Sequence, residues 1–154
     1  MSIKLSHEIQ KFWDDFVETD PELAYLSKVN PDPWSFGNTE SMADKLLKLV
    51  LDGKKTATCS LLRAYQGFEA EIPQVGVYSV LCDGRDKPKC IVLHTETFLC
   101  PFNEVSEQFA FEEGEGDRSY AHWQKVQRSF FSEYGNFKET EILICERFKV
   151  VHQH

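Results

Sequence analysis

The sequence has few of the features that mark membrane, secreted or metal-binding proteins. No apolar run approaches the roughly 18 residues that a membrane-spanning helix needs. The five cysteines are an odd number without a C-x-x-C pair, and the first residues show no secretory segment, so we expect reduced thiols in a cytoplasmic protein. The five histidines form no H-x-x-x-H pair, and the phosphate-loop pattern G-x-x-x-x-G-K-[ST] is absent. We therefore expect no metal ion and no other cofactor.

Acidic residues outnumber basic ones, which gives a formal net charge of -8 and a pI of about 5.1. This balance disfavours an extended surface for duplex nucleic acid, because such surfaces bind phosphate through many lysines and arginines. The charge is uneven, since residues 42–63 carry five bases and two acids, whereas residues 104–117 carry six acids and no base. A mononucleotide-sized ligand between these two segments is compatible with this charge balance, and a long polyanion is less so.

Length and periodicity predict one α+β domain over residues 1–154, without an interior linker. Helices are predicted where apolar residues recur every three or four positions, and strands where the period changes to two. The prolines between residues 21 and 33 predict an irregular loop. The predicted helices are Ser6–Glu18, a second from Asn38 or Thr39 to Gly53, Asn103–Phe111, and a fourth from Asp117 as N-cap to Gly135; the predicted strands are Thr56–Leu62, Val77–Cys82, Cys90–Leu99 and Ile142–Val151. Together they predict a small barrel flanked by helices.

The stretch G-K-K-T-A-T-C-S, residues 53–60, contains the strongest candidates for chemistry. In a strand that starts at residue 56, Thr58 points to one face, while Lys55 and Cys59 point to the other. One interpretation is a half-buried strand with solvated lysines. The functional interpretation needs a bend near Lys55 that brings its amine towards the Thr58 hydroxyl, so that a desolvated lysine acts as general base for a threonine nucleophile. Cys59 is a competing nucleophile, but no histidine lies nearby in sequence to activate it.

Two loops supply further candidates. The stretch E-E-G-E-G-D, residues 112–117, is either a solvated acidic loop that caps the next helix or a site where one glutamate serves as an acid or a ligand contact. In the second case its glycines would bring the backbone close to a substrate. Trp34 and Phe36, in the loop P-W-S-F-G-N, either stack on a base or pack into the core.

From Pro33 to the C-terminus, the chain resembles the ASCH family (activating signal cointegrator homology domain), which has a PUA-like fold. The matching stretches are P-W-S-F-G-N, A-D-K-L-L-K-L-V-L-D-G-K-K-T-A-T-C-S, P-F-N-E-V, and E-G-E-G-D-R-S followed by W and F-F. The chain resembles the longer bacterial members and, more distantly, relatives that hydrolyse N(4)-acetylcytidine. The resemblance implies a mixed β-barrel with flanking helices, with a family-like core over residues 33–151. Residues 1–32 would add an N-terminal helix and a proline-punctuated loop packed on the barrel.

The resemblance also implies a Lys-Thr-Glu site. The relatives' K-T-x-T matches residues 55–58, which makes Lys55 the base and Thr58 the nucleophile. The glutamate ahead of their late helix matches Glu115, with Glu113 as the competing position. The candidate substrate contacts are Trp34, Phe36, Asn38, Arg63 and Glu113.

The leading hypothesis is therefore an amidohydrolase that acts on an acylated cytidine-type nucleoside. The alternatives are a non-catalytic RNA- or nucleotide-binding module and an RNA-cleaving protein. The chain departs from the longer relatives at Asn38, where F-G-D is usual, and at Gln124 and Gln127, where W-R-x-x-H is usual. Loss of a cation and a titratable ring from that helix disfavours phosphate contacts and RNA cleavage. The expected partner is a small nucleoside or RNA-derived ligand, with no extensive duplex and no membrane, and no oligomeric state is predicted.

Overall fold

The structure is a computed structural model that describes residues 3–153 as a five-stranded mixed sheet with helices packed against it. Short 3-10 segments join several elements, at Pro21–Lys28, Leu62–Tyr65, Glu69–Glu71 and Phe102–Glu104. The helices are α1 (His7–Val17), α2 (Glu40–Leu51), α3 (Glu107–Glu113) and α4 (Tyr120–Ser132), and the strands are β1 (Pro33–Trp34), β2 (Ala57–Leu61), β3 (Tyr78–Cys82), β4 (Pro88–Pro101) and β5 (Ile142–Gln153). The predicted α+β class is confirmed.

The strand order is β1-β3-β4-β5-β2, so β1 and β2 are the edges of the sheet. The β1–β3 pair is parallel, and the other pairs are antiparallel. The two long central strands carry register shifts between Ile91 and Val92 and between His94 and Glu96. Bulges of this kind bend and twist a strand, so they help the sheet to curl into a barrel-like form.

The two faces of the sheet pack against different helices. Helix α1 packs on one end of the outer face, against Val80 and Ile91, and helices α3 and α4 pack on its other end, against Leu143 and Cys145. Helix α2 packs on the opposite face through Leu47 and Val50. We call that opposite face the inner face; it carries Thr58, Ser79, Leu81, Val92, His94, Thr97, Glu146 and Phe148.

The local sequence explains most element boundaries. The hydroxyl of Ser6 accepts a hydrogen bond from the Ile9 amide, as the predicted N-cap requires. Thr39 rather than Asn38 caps α2, since its hydroxyl accepts from the Met42 amide. All five cysteines are free thiols.

Three expected details were wrong. Proline 21 starts a 3-10 helix over Pro21–Lys28 instead of an irregular loop, because Asp20 caps it and Pro21 occupies the first turn. The expected helix Asn103–Phe111 is split, with a 3-10 turn at Phe102–Glu104 and a new start after Ser106. Ser119 rather than Asp117 caps α4, because its hydroxyl accepts from the His122 amide.

Candidate active site

The end of helix α2 turns the chain so that Lys55 enters the interior. Gly53 has a φ of 78°, in the left-handed region, and the amides of Lys54 and Lys55 both donate to the Leu49 carbonyl, at 2.9 and 3.0 Å. This arrangement is a glycine C-cap that closes the helix and reverses the chain. As a result Lys55 is only 2% exposed, although the neighbouring Lys54 is on the surface.

The buried ammonium group of Lys55 is fully hydrogen-bonded. Its Nζ donates to the Ala57 carbonyl at 2.9 Å, to the Glu113 carbonyl at 3.4 Å and to Glu113 Oε1 at 3.4 Å. The Phe36 ring centroid lies 5.4 Å from Nζ and forms an aromatic wall. Three acceptors match the three N–H donors of an ammonium, so this charge is compensated despite its burial.

Glu113 is the anchored carboxylate of the site. It is 1% exposed, and its Oε2 accepts hydrogen bonds from Cys59 Sγ at 3.3 Å and from Trp123 Nε1. The following residue, Gly114, has a φ of 76°, and a Cβ there would overlap the Lys54 carbonyl. Glycine thus allows the end of α3 to lie directly against the Lys54–Lys55 backbone.

Glu115 is the second carboxylate near the lysine, and it is partly open to solvent. Its Oε2 lies 3.8 Å from Lys55 Nζ, and 23% of its side chain is exposed. Burial raises the pKa of the Glu115 carboxyl, and the charge of Glu113 adds to this effect. The positive charges of Lys55, His122 and Lys45 oppose it. Glu115 therefore holds its proton more strongly than an ordinary glutamate.

Thr58 and Cys59 lie on opposite faces of β2, as the alternation predicts. Cys59 faces α3 and α4, and burial together with Glu113 raises the pKa of its thiol well above the ordinary range. Thr58 lies on the inner face, half-buried, with Glu146 as its cross-strand partner. Within residues 3–153, no hydrogen bond joins the Thr58 hydroxyl to Lys55 or to any other residue.

The two loop aromatics contact each other beside the lysine. Their ring centroids are 4.8 Å apart in an edge-to-face pair. Phe36 is 5% exposed and packs with α2, so it is a wall of the site rather than a free stacking surface. Trp34 is half-buried, and its Nε1 is buried without a hydrogen-bond partner.

Two other expected substrate contacts are engaged elsewhere. Asn38 is exposed and donates through Nδ2 to Glu133 at 3.4 Å, near the end of α4. Arg63 pairs with Glu141 at 3.1 Å and donates to the Gly135 carbonyl at 2.6 Å. The structure therefore brings together Lys55, Glu113, Glu115 and Phe36, and it gives Asn38 and Arg63 no contact with this group.

Sequence reasoning missed a second polar group on the inner face. Ser79 and His94 are completely buried, and Glu146 is 4% exposed. They lie in strands whose other residues are mainly apolar. A polar residue within such a strand is the sequence feature that could have indicated this group. Within residues 3–153, no three His, Cys, Asp or Glu side chains are arranged to hold a metal ion, and no helix is long and apolar enough to cross a membrane.

Comparison with known proteins identifies the class. The family model described as ASCH domain matches residues 32–152, so the chain belongs to the ASCH family. A solved ASCH domain from Lactobacillus crispatus JV V101 is 34% identical, with a TM-score of 0.88 and 97% of each chain covered. A solved protein from Enterococcus faecalis V583 is 33% identical, with a TM-score of 0.82, covering 96% of this chain and 94% of that one.

These neighbours confirm the PUA-like fold that the resemblance implied. A solved hypothetical protein with 18% identity and a TM-score of 0.52, covering 70% of this chain and 93% of its own, shares the fold alone. No curated protein matches the chain.

Proposed function

We propose that this ASCH domain is an amidohydrolase that acts on an acylated cytidine-type nucleoside. One observation supports this function above all: a fully buried lysine lies between a carboxylate whose oxygens are both bonded and a second, partly exposed carboxylate whose pKa is raised. A buried lysine beside carboxylates, one of them with a raised pKa, is typical of sites for acid–base chemistry. The residues in these positions are Lys55, Glu113 and Glu115.

The contacts of the two glutamates favour Glu115 as the catalytic acid. Glu113 accepts from Lys55, Cys59 and Trp123 and is only 1% exposed, so its burial keeps its oxygens from a substrate. Of these three residues, Glu115 contacts only Lys55, at 3.8 Å. The raised pKa of Glu115 favours the protonated form that a general acid needs. In this proposal Glu113 orients Lys55, and Glu115 donates a proton to the leaving group.

In the resting site Lys55 is the ammonium, and the proposed reaction begins when it passes one proton to Glu115, which leaves Lys55 as the neutral amine and Glu115 as the carboxylic acid. Thr58 Oγ1 attacks the acyl carbon while its proton passes to Lys55, and the C–N bond breaks as Glu115 gives its proton to the leaving nitrogen. Cytidine leaves, and Thr58 carries the acyl group as an ester. Water then attacks this ester and gives one proton to Glu115, while Lys55 returns its proton to the Thr58 oxygen. The carboxylic acid is released, and both groups regain their starting states.

The charge of the group supports a nucleoside rather than a polyphosphate as substrate. With Lys55 paired to two carboxylates, the group carries at most one positive charge against two acids, which does not attract phosphate. An exocyclic N–H of a base, by contrast, finds an acceptor in the carbonyl oxygen of the Glu115 carboxyl. The anchored Phe36 ring lies beside the same lysine.

Incubation of the purified protein with N(4)-acetylcytidine, followed by chromatography, tests this function. We expect cytidine to form, and we expect Lys55→Ala, Thr58→Val and Glu115→Gln each to lower the rate by at least about 100-fold, as losses of a general acid, base or nucleophile do. Thr56→Val is the matched control, because Thr56 is the adjacent threonine in the same stretch and is exposed. No cytidine above the level given by the Lys55→Ala protein would refute the activity.

One observation favours a second candidate, a non-catalytic RNA- or nucleotide-binding module. Within residues 3–153 the Thr58 hydroxyl forms no bond to Lys55, although catalysis needs a proton path between them. Titration with cytidine and with a labelled oligonucleotide separates the two candidates. Binding without turnover, with an affinity that falls steeply as salt rises, would favour the binding module. Cleavage of the oligonucleotide that disappears in Lys55→Ala would favour the RNA-cleaving alternative.

A further inference from the structure

A chain of polar contacts crosses the inner face of the sheet, apart from the Lys55 group. Ser79 Oγ donates to Asp32 Oδ2 at 2.9 Å and lies 2.9 Å from His94 Nε2. On the other side of the ring, His94 Nδ1 lies 3.1 Å from Glu146 Oε1. Asp32 is exposed, whereas the other three residues are buried, so the chain leads from solvent to a carboxylate inside the protein.

The hydrogen-bond directions fix where the protons are. A hydroxyl has one proton, and Ser79 gives its proton to Asp32. His94 Nε2 must therefore carry a proton and donate it to Ser79. Nδ1 then faces a carboxylate oxygen at 3.1 Å, and two bare acceptors at that distance repel each other.

The buried end of this chain has unused hydrogen-bonding capacity. In the part of the chain that the structure describes, His94 Nδ1 and Glu146 Oε1 are close but lack the geometry of a hydrogen bond, and Thr97 Oγ1 on the neighbouring strand has no hydrogen-bond partner. Unpartnered buried polar atoms are rare because each loses its hydrogen bonds to water without a replacement. The surrounding positions of the inner face are filled by apolar residues such as Val92 and Phe148. Packing alone would therefore favour apolar side chains at the positions of His94, Glu146 and Thr97. Their polar groups instead indicate a ligand-binding site.

The position of Glu146 connects this chain to Thr58. In the strand register, Glu146 lies directly opposite Thr58 on β2 and opposite Thr97 on β4. Side chains of such cross-strand partners share a face, with Cβ atoms about 4.5–5.5 Å apart. Thr58 and Thr97 are both half-buried, so the carboxylate lies between two threonines on the inner face.

We propose that Glu146 is a second ligand-contacting carboxylate, which accepts a hydrogen bond from an N–H of a small planar nucleobase held between Thr58 and Thr97. The Thr97 hydroxyl donates to the neighbouring acceptor of the same base edge, since a pyrimidine presents an N–H beside a ring nitrogen or carbonyl. His94, Ser79 and Asp32 are positioning residues, because Asp32 and Ser79 hold the His94 ring beside the carboxylate. This inference rests on the proposed function only in taking a cytosine-type base as the ligand.

Calorimetric titration with cytidine tests the contact without any need for turnover. We expect Glu146→Gln to weaken binding at least about 10-fold, because an amide replaces one acceptor by a donor. Thr97→Val should also weaken binding, by a few-fold, yet leave the melting temperature equal or higher, since it removes a buried hydroxyl that has no partner. Glu139→Gln, at an exposed pair with Arg128, is the matched control and should bind cytidine as the parent protein does.

Nitrogen-15 spectra of the histidine rings provide a readout that a purely structural role would not move. We expect a protonated Nε2 in His94, assigned by its loss in His94→Asn, and a shift of the His94 Nδ1 signal when cytidine is added. Ser79→Ala should change the His94 signals, whereas Glu139→Gln should not.

The outcomes separate this inference from the proposed function. Cytidine binding that depends on Glu146 and Thr97, without hydrolysis of N(4)-acetylcytidine, supports the ligand site and refutes the amidohydrolase. Hydrolysis with unchanged binding in folded Glu146→Gln overturns the ligand site alone. If Glu146→Gln does not fold, cytidine binding by Thr97→Val decides the question. A dissociation constant for cytidine that is unchanged in Thr97→Val overturns the inference. Failure of the parent protein to bind cytidine overturns it as well.

Discussion

Lys55 Nζ lies 3.4 Å from Glu113 Oε1, and both side chains are almost completely buried, although 58 positions separate them in the sequence. Gly114 makes this contact possible, because its backbone lies against the Lys54 carbonyl. The same glutamate accepts from Cys59 and Trp123, so it ties β2 to α4 as well as to the lysine. The candidate catalytic lysine is therefore also part of the internal support of the domain.

Lys55→Met should destabilise the protein strongly, since it leaves the Glu113 carboxylate buried without its cation. Removal of one partner from a buried pair costs about 3–5 kcal/mol in the free energy of unfolding. Glu113→Gln in the Lys55→Met background should recover part of that loss, because the remaining buried group is then neutral. Urea unfolding of the two single variants and the double variant measures the coupling. Effects that simply add would contradict a direct Lys55–Glu113 interaction.

Gly114→Ala should destabilise the protein more than Gly135→Ala does. Both glycines have a left-handed φ, of 76° and 78°, so each substitution carries a similar backbone strain of about 1 kcal/mol. A Cβ at Gly114 would also overlap the Lys54 carbonyl, whereas a Cβ at Gly135 would meet nothing within 4 Å. Thermal unfolding measures the difference between the two variants. Because the overlap pushes α3 from Lys55, Gly114→Ala should also lower activity, and equal effects of both substitutions would contradict this.

The strand alternation in residues 55–60 was predictable from the sequence, because a period of two separates Thr58 from Cys59 whatever the strand packs against. The structure confirms this separation and places the partly buried Cys59 beside Glu113. Proximity of the lysine to the acidic loop was implied by the family resemblance, not by spacing. Which glutamate is anchored was not predictable, since that depends on Trp123 of α4 reaching Glu113.

The polar chain on the inner face could not be predicted from the sequence, for a related reason. Ser79 and His94 become neighbours only through the pairing of β3 with β4, and Glu146 joins them through the pairing of β4 with β5. No local pattern encodes those pairings.

The N-cap of α4 was predicted wrongly because Asp117 and Ser119 are both good N-cap residues. The choice between them depends on where the turn after Gly116 places the first helical amide.

Cys100 should react first when the native protein is treated with a thiol-alkylating reagent at mild alkaline pH. Only the thiolate is nucleophilic, and burial raises the pKa of Cys82 and Cys90 to about 12. Burial and the Glu113 charge hold the pKa of the Cys59 thiol well above its ordinary value, whereas Cys100 is raised less strongly. Mass spectrometry of digested protein identifies the labelled residue, and all five cysteines should react in denaturant. Faster labelling of Cys59 than of Cys100 would restore it as a candidate nucleophile.

Glu115 should make the folded protein less stable as pH rises above about 4.5, the ordinary value for its carboxyl. Its pKa is raised in the folded state, mainly by burial, so in the interval up to that raised value the folded protein binds this proton and the unfolded protein does not. The stabilising contribution is present below the ordinary pKa and is lost as pH passes the folded one. Glu115→Gln should lack this dependence, which urea unfolding between about pH 3.5 and 7.5 measures against the exposed control Glu139→Gln. If Glu115 is the general acid, the rate of hydrolysis should decline through the same pH interval. A stability difference between the parent protein and Glu115→Gln that does not change with pH would contradict the raised pKa.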